Sequence, residues 1–457
     1  MMTESQRAAL AEYAAVKGQC PARERLAALF DDGVYTETGS NLRAGENLAG
    51  VVTAYGYIGG TPAYAFSQDS TVMKGAVSLA HSAKICKMFE LAARNGVPVV
   101  GIYDSCGAFV EDGADALNAY SDILLSMGSL SGVVPMVSVI SGVCAGTMAM
   151  IASSADFSVI TEGAELYLDA SGNNASAESA AKSGAVSAYA KSDAEAMDTV
   201  RRYLSLMPQN NLSPLPEFEF DAPVSAAFDN AENAAESIAD AGSILEVYGE
   251  YGTASYTALC TVSGVTAGIA ATNKTKDKLT SADCSKIARF VRLCDAYSIP
   301  VITVADTEGF DLHGADMVRA GAALAGAYAE ASCAKIALVS GKACGMAYIA
   351  FAGRNVAADA VYALPEAVIA PMDPVSVAEF LYHDRLKGAD DLTAARNEIA
   401  KEYAEKDGSA FAAAAKGAAD EVVTAENVRA AVASVLDVTA GKRLNKRLPK
   451  KHNILPL

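Results

Sequence analysis

The sequence predicts a layered α/β fold built twice in tandem, and three observations carry that expectation. Residues 82–107, SAKICKMFELAARNGVPVVGIYDSCG, and 284–309, CSKIARFVRLCDAYSIPVITVADTEG, match without a gap. Lys84 falls on Lys286, Ile85 on Ile287, Leu91 on Leu293, Pro98 on Pro300, Asp104 on Asp306 and Gly107 on Gly309. Within each copy, helical apolar spacing gives way to a short continuous apolar run, the pattern of a helix followed by a strand buried on both faces. At 457 residues the chain also has room for two domains, each with its own core.

Taken in order, the N-terminal MMTESQRAALAEYAAVKGQ reads as a polar amphipathic helix without the apolar centre of a secretory signal. Residues 50–69, rich in β-branched and aromatic residues around Gly59-Gly60, read as paired strands, and 257–273, TALCTVSGVTAGIAATN, repeats the theme. Helices follow at 82–95 and 284–297, with Ile85, Met88, Phe89 and Ala92 at helical spacing, and then strands at 97–104 and 299–306. After a further helix, VVPMVSVIS (133–141) and CAKIALVS (333–340) read as a second buried strand in each half. Each runs into a small-residue turn that opens another helix, GVCAGTMAMIA (142–152) and GKACGMAYIAFAG (341–353). Such alternation of strands and helices implies βαβ crossovers in each half. The stretch 170–196 reads as helix and loop. SLMPQNNLSPLPEFEFDAP (205–223) has the prolines and Asn-Asn pair of a linker, giving domains at 1–215 and 216–457.

Composition narrows the function classes. Hydrophobic residues at 51% and charged residues at 20% describe a compact chain, and a formal charge of −18 argues against a nucleic-acid partner. Only the tail GKRLNKRLPKKHN (441–453) is strongly basic. The nine cysteines show no CxxC spacing and mostly lie in apolar runs, so buried reduced thiols in a cytoplasmic protein are expected, with no metal. No membrane span is expected, because no run of about 18 apolar residues is free of polar breaks.

Chemistry points to the two turns. A helix beginning near Gly146 leaves its first N–H groups without internal acceptors, and Cys144-Ala145-Gly146-Thr147 is small enough for a substrate to approach. Two adjacent N–H groups can form an oxyanion hole. The equivalent turn is Cys344-Gly345-Met346-Ala347. Gly and Ala there also permit plain helix-on-strand packing, but a pair of such turns at matching places suits a reaction in which two oxygens become enolate-like. There is no GxSxG elbow, P-loop, GxGxxG after the first strand or HExxH. Of the four histidines, His81 reads as a cap or surface group, and His313 as somewhat better placed to face a site.

These residues, in this order, resemble the carboxyltransferase subunits of biotin-dependent acyl-CoA carboxylases and decarboxylases, the propionyl-CoA carboxylase β chain and methylmalonyl-CoA decarboxylase α chain type. The resemblance spans nearly the whole chain and rests on ARERLAALFDDGVYTE (22–37), FSQDSTVMKGAVSLAHSAKI (66–85), DSCGAFVEDG (104–113), CAGTMA (144–149), VRRYLSLMPQNN (200–211), KIARFVRLCDAYSIPVITVADTEGF (286–310), GKACGMAY (341–348) and LPKKHNILPL (448–457). It implies two tandem crotonase-like (ClpP/crotonase) domains of ββα superhelical repeats, acyl-CoA on the N-terminal half and biotin on the C-terminal half. By resemblance, Gly146 and Thr147 fall where the family stabilises the thioester enolate, and Met346 and Ala347, with Gly345, where it stabilises the biotin ureido oxygen. Gly75 and Ala76 fall in the CoA-side segment, and Gly107 and Ala108 in the family's DSGGAR loop.

The chain departs from that pattern at Thr147 and Met346, where the family has glycine, and at Phe109, where it has arginine. It has no biotinyl-lysine motif, since TVMKG (71–75) lies in the CoA-side segment, and no ATP-grasp segment. The resemblance therefore implies biotin on a separate carrier protein and a further partner, either a biotin carboxylase or a membrane sodium-pump decarboxylase subunit. It also implies a homo-oligomer, commonly a hexamer arranged as a trimer of dimers. Two alternatives stand beside an active carboxyltransferase: a non-catalytic, oligomer-forming subunit, and a biotin-independent crotonase-type acyl-CoA enzyme.

Overall fold

In a computed structural model that describes residues 2–169, 175–223, 225–275, 277–311, 316–354, 356–442 and 454, the chain forms two compact units, Met1–Pro214 and Leu215–Leu457. In the first, α1 (Glu4–Ala15) is closed by a Thr3–Gln6 capping box, and α2 (Pro21–Leu29) follows. The described side chains of α1 are exposed on nearly every side, so it is a polar helix without the apolar face expected from the sequence.

The sheet of the first unit has eight strands: β1 (Tyr35–Thr38), β2 (Val51–Ile58), β3 (Thr61–Gln68), β4 (Val99–Ser105), β5 (Met136–Ala145), β6 (Phe157–Thr161), β7 (Glu165–Tyr167) and β8 (Ala188–Ala190). Their order is β1-β2-β3-β4-β5-β6-β8, with β7 added to the end of β5. β2 and β3 form an antiparallel hairpin in the register Val51–Gln68 to Ile58–Thr61, and the rest of the path from β3 is parallel. Gly59 and Gly60 turn the hairpin with φ of 58° and 76°, the two left-handed residues that a tight two-residue hairpin requires. The helices α3 (Leu79–Asn95), α4 (Asp115–Leu130), α5 (Thr147–Ser153), α6 (Ala177–Lys182) and α7 (Asp193–Leu206) connect or flank these strands. Ile85, Phe89 and Ala92 of α3 pack with Phe66, Tyr103, Ile123 and Ile140 in one core.

The second unit repeats the plan. It opens with α8 (Ala231–Ile238), then β9 (Leu245–Glu246), the antiparallel hairpin β10 (Tyr256–Val262) and β11 (Val265–Ala271), α9 (Ser281–Ala296), β12 (Val301–Ala305), α10 (Asp316–Glu330) and β13 (Lys335–Val339). After these come β14 (Lys342–Cys344), α11 (Met346–Phe351), β15 (Ala360–Ala363), β16 (Val368–Ala370), α12 (Pro374–Leu381) and β17 (Glu421–Val422). The seven-stranded sheet runs β9-β10-β11-β12-β13-β15-β17, and β14 pairs with β16 alongside it.

Several boundaries differ from the sequence reading, and residues 188–190, read within a stretch of helix and loop, form β8 at the edge of the sheet, paired with β6. Both repeated helices start three residues earlier, because Ser78 and Thr280 cap them by accepting the N–H groups of His81 and Asp283. Residues 142–145, read as part of a turn, continue β5, and 342–344 form their own strand; the turn proper is Gly146 in one half and Gly345 in the other. Finally, α7 extends to Leu206 into the expected linker, and Phe218 at its other end donates to Gly264 O of the second hairpin.

Candidate active site

In the first unit the chain after β3 takes an unusual path. Met73, Lys74 and Gly75 have φ of 51°, 53° and 66°, three consecutive left-handed residues of which two carry side chains. A Cβ on Gly75 would lie 2.2 Å from the carbonyl oxygen of Asp104, so only glycine fits. The close approach is fixed by backbone hydrogen bonds from Cys106 N–H to Lys74 O (3.1 Å), Val77 N–H to Gly107 O (2.9 Å) and Phe109 N–H to Val77 O (3.0 Å). Gly75, Ala76, Gly107 and Ala108 are thereby brought into one layer, bridged at Val77 and Ala108. Ser105 pairs with Cys144, which sets that layer beside the end of β5.

Gly146 follows with φ 65° and ψ −140°, a conformation that suits glycine. Its own N–H donates to Tyr167 O (2.9 Å), and its carbonyl accepts from Ala149 N–H (3.0 Å). Gly146 therefore contributes the reversal of the backbone, while the amides of Thr147 and Met148, at the first positions of α5, are left without intrahelical acceptors. Thr147 is exposed and Met148 buried.

The second unit reaches the same arrangement. Leu279 N–H donates to Gly309 O (2.9 Å), Asp311 N–H to Leu279 O (2.8 Å), and Thr307 N–H to Lys342 O (2.8 Å), which ties the loop after β12 to β14. Gly345 has φ 54° and ψ −122°, donates to Ala370 O (2.9 Å) and accepts from Ile349 N–H (3.2 Å). Met346 and Ala347 then carry the open amides, with Met346 46% exposed and Ala347 buried. The Met346 side chain lies over Gly321, where an added Cβ would meet its methyl carbon at an ordinary contact distance of 3.6 Å. At seven and six residues, α5 and α11 are too short for a large macrodipole, so the open N–H groups themselves are the donors.

A polar layer underlies both turns, and the sequence reading did not find it. Asp104 at the end of β4 accepts from Arg25 Nη1 (2.9 Å) and Ser70 Oγ (2.8 Å), and its N–H donates to Gln68 Oε1 (3.0 Å). Arg25 also donates to Ser141 O (2.9 Å) and Asp193 (3.2 Å). In the second unit Asp306 accepts from Lys342 N–H (2.8 Å) and Asn273 Nδ2 (3.2 Å), and its N–H donates to Thr272 Oγ1 (2.9 Å). The ungapped match of Asp104 to Asp306 was the one signal of this layer in the sequence. Among the described residues no group of three His, Cys, Asp or Glu side chains is placed to hold a metal.

The histidine expectations divide. His81 is fully buried in α3, with Nε2 3.2 Å from Gln68 Nε2, and burial pushes its imidazole down to about 3. It is a neutral core group, neither a surface residue nor a cap, because its place three residues into the helix faces the sheet. His313 and most of the basic tail lie outside the described residues. Five cysteines are buried and Cys106, beside Gly107, is exposed; all nine are free thiols.

The comparisons agree with this architecture. The carboxyl transferase domain model matches residues 14–455. The methylmalonyl-CoA decarboxylase α subunit of Propionigenium modestum is 33% identical, covering 96% of this chain and 94% of its own length. The methylmalonyl-CoA carboxyltransferase 12S subunit of Propionibacterium freudenreichii subsp. shermanii is also 33% identical, over 96% and 92%. A crystal structure of transcarboxylase 12S, described as a hexamer with hydrolysed methylmalonyl-coenzyme A bound, superposes with a TM-score of 0.90 at 31% identity, covering 100% of both chains. Its two units are crotonase-like, and the chain belongs to the carboxyl transferase family.

Proposed function

We propose that the protein is the carboxyltransferase component of a biotin-dependent acyl-CoA carboxylase or decarboxylase. It moves a carboxyl group between biotin on a separate carrier protein and the α-carbon of a short acyl-CoA of the propionyl/methylmalonyl or acetyl/malonyl type. The observation that supports this reading best is the matched pair of turns, each with two open amides after a left-handed glycine, in a chain of this family.

In the first unit, the Thr147 and Met148 amides face the thioester oxygen as it gains charge when the α-carbon becomes an enolate. Each such donor is worth about 3 kcal/mol in a preorganised site. Gly146 sets their direction, and the layer of Gly75, Ala76, Gly107 and Ala108 gives the acyl-CoA a backbone-lined approach. In the second unit, the Met346 and Ala347 amides are neutral donors at an accessible turn, a set that fits the carbonyl oxygen of a cyclic urea. Biotin, when docked there, supplies the carboxyl carrier. No side-chain general base is required at either turn: His81 is buried and held neutral, and Cys144 is buried, which pushes its thiol far up.

The reading extends to partners. A biotin carboxyl carrier protein supplies the biotin, a biotin carboxylase or a membrane sodium-pump decarboxylase subunit charges or discharges it, and the subunits assemble as a hexamer, a trimer of dimers. No helix among the described residues is long and apolar enough to cross a membrane, so membrane association would run through the pump subunit. The test is incubation with carboxyl-labelled methylmalonyl-CoA or malonyl-CoA and free biotin or biotinylated carrier. Biotin-dependent release of labelled carbon dioxide is expected. Normal oligomer formation with neither acyl-CoA binding nor turnover would leave an oligomer-forming subunit, and turnover independent of biotin a crotonase-type enzyme.

A further inference from the structure

We infer that Asp104 and Asp306 are a matched pair of positioning residues, each locking the strand-to-helix turn of its own half so that the two open amides hold their aim. The inference rests on the carboxyltransferase reading above. Each carboxylate sits at the end of the strand that follows the repeated helix. Each also occupies the space over a glycine four residues before the left-handed glycine of the turn. A Cβ on Gly142 would lie 2.3 Å from Asp104 Oδ1, and one on Gly341 would lie 2.2 Å from Asp306 Oδ1, where side chains essentially never come. Gly142 precedes Gly146, and Gly341 precedes Gly345, by the same interval.

The two halves reach this geometry with different residues, which argues that the geometry matters and not any one contact. The Asp104 N–H is held by Gln68, the Asp306 N–H by Thr272. In the first half the link from carboxylate to turn runs through Arg25, which donates both to Asp104 Oδ2 and to Ser141 O, the residue before Gly142. In the second half it is direct, from the Lys342 N–H, the residue after Gly341, to Asp306 Oδ1. Both rings close on the segment leading into the open amides. A donor displaced by about 1 Å loses on the order of a hundredfold in rate, so a rigid anchor at that point is what an oxyanion site needs.

The charges are handled differently as well. Asp104 is ion-paired with Arg25, whereas Asp306 is satisfied by a backbone N–H and by Asn273, whose Oδ1 has no partner among the described residues. In an Asp306→Asn variant the remaining oxygen can still accept from Lys342, and Asn273 can turn its free oxygen to the new amide.

The experiment uses the full chain and combines kcat for biotin-dependent decarboxylation of methylmalonyl-CoA, the thermal midpoint, and acyl-CoA affinity by calorimetry. Gly341→Ala and Asp306→Ala are each expected to lower kcat about a hundredfold. Joining them removes the collision, so Gly341→Ala/Asp306→Ala is expected to regain thermal midpoint relative to Gly341→Ala but not kcat, with acyl-CoA affinity unchanged. Gly142→Ala, Asp104→Ala and their double behave alike in the acyl-CoA half. Asp306→Asn keeps kcat near wild type. Recovery of kcat together with the midpoint in the double variants would make the carboxylates merely structural and overturn the inference. So would wild-type kcat in Asp104→Ala and Asp306→Ala, or a hundredfold loss in Asp306→Asn, which decides the matter if an alanine variant does not fold. A wild-type protein without biotin-dependent turnover overturns the carboxyltransferase reading itself, and the positioning role with it, before any variant is compared.

Discussion

Replacing Gly75 by alanine should be far more damaging than the same change at Gly59, and the difference measures how tightly the loop after β3 is built against the end of β4. Both glycines have left-handed φ, 66° and 58°, so both substitutions carry the same conformational penalty of about 1 kcal/mol. At Gly59 nothing lies within 4 Å of the added methyl, and the penalty is the whole effect. At Gly75 the methyl meets the Asp104 carbonyl at 2.2 Å, and that carbonyl belongs to a buried strand end joined to the loop by three backbone hydrogen bonds. Separating the two by roughly 1 Å must stretch those three bonds, and with a net hydrogen bond worth about 1 kcal/mol and the conformational penalty added, a total of up to about 4 kcal/mol is expected. Urea denaturation of both variants gives the two stabilities, and calorimetric titration with an acyl-CoA gives the affinity, which should fall only in Gly75→Ala. Equal destabilisation of the two variants would refute the close approach, and an unchanged affinity in Gly75→Ala would refute the proposed acyl-CoA role of this segment.

Other consequences follow from burial. Lys286 is 1% exposed, its ammonium donates to Ser255 O (2.8 Å) and Gly252 O (3.3 Å), and burial pushes it down to about 8. The unfolded chain keeps that proton to about 10.5, so the penalty is complete below pH 8 and relieved as pH rises toward 10.5; the stability of wild type minus that of Lys286→Met should climb by about 3 kcal/mol between pH 7 and 10.5, and a pH-independent difference would contradict it. Burial raises the Cys284 and Cys333 thiols to about 12 and Cys344 to about 11 from 9.0, so their contribution is complete below pH 9 and is lost as pH rises toward 11–12; the urea midpoint of the reduced protein should fall above pH 9, and a flat profile would count against it. His81, held down to about 3, should show no NMR titration between pH 5 and 8, and a midpoint near the ordinary imidazole value would place it outside the core.

The repeat, the hairpins, the buried strands and the two turns were legible because each leaves a local pattern: alternation and Gly-Gly at 59–60, helical spacing through Ile85 and Phe89, small residues at 144–147 and the matching Cys-Gly-Met-Ala at 344–347. What escaped were relations between distant residues. Nothing near Arg25 announces that it reaches Asp104 and Ser141, and nothing near Gly142 announces that a carboxylate fills the space of its missing side chain. His81 was misread because it stands at the start of the repeated helix, while its burial is decided by the strand beneath α3, where Gln68 meets it. Gly146 was read as part of the donor pair because its bond to Tyr167, on a three-residue strand beyond the helix, has no local signature.

The claim that backbone amides carry the chemistry at both turns is tested most directly by deleting one of them. Thr147 and Met346 occupy the first position of their helices, where proline is tolerated and removes only an N–H that has no helical acceptor. Thr147→Pro and Met346→Pro should keep the fold and lower kcat for biotin-dependent decarboxylation about a hundredfold or more, with acyl-CoA affinity little changed in Met346→Pro. Folded proline variants that turn over like the wild type would contradict the account.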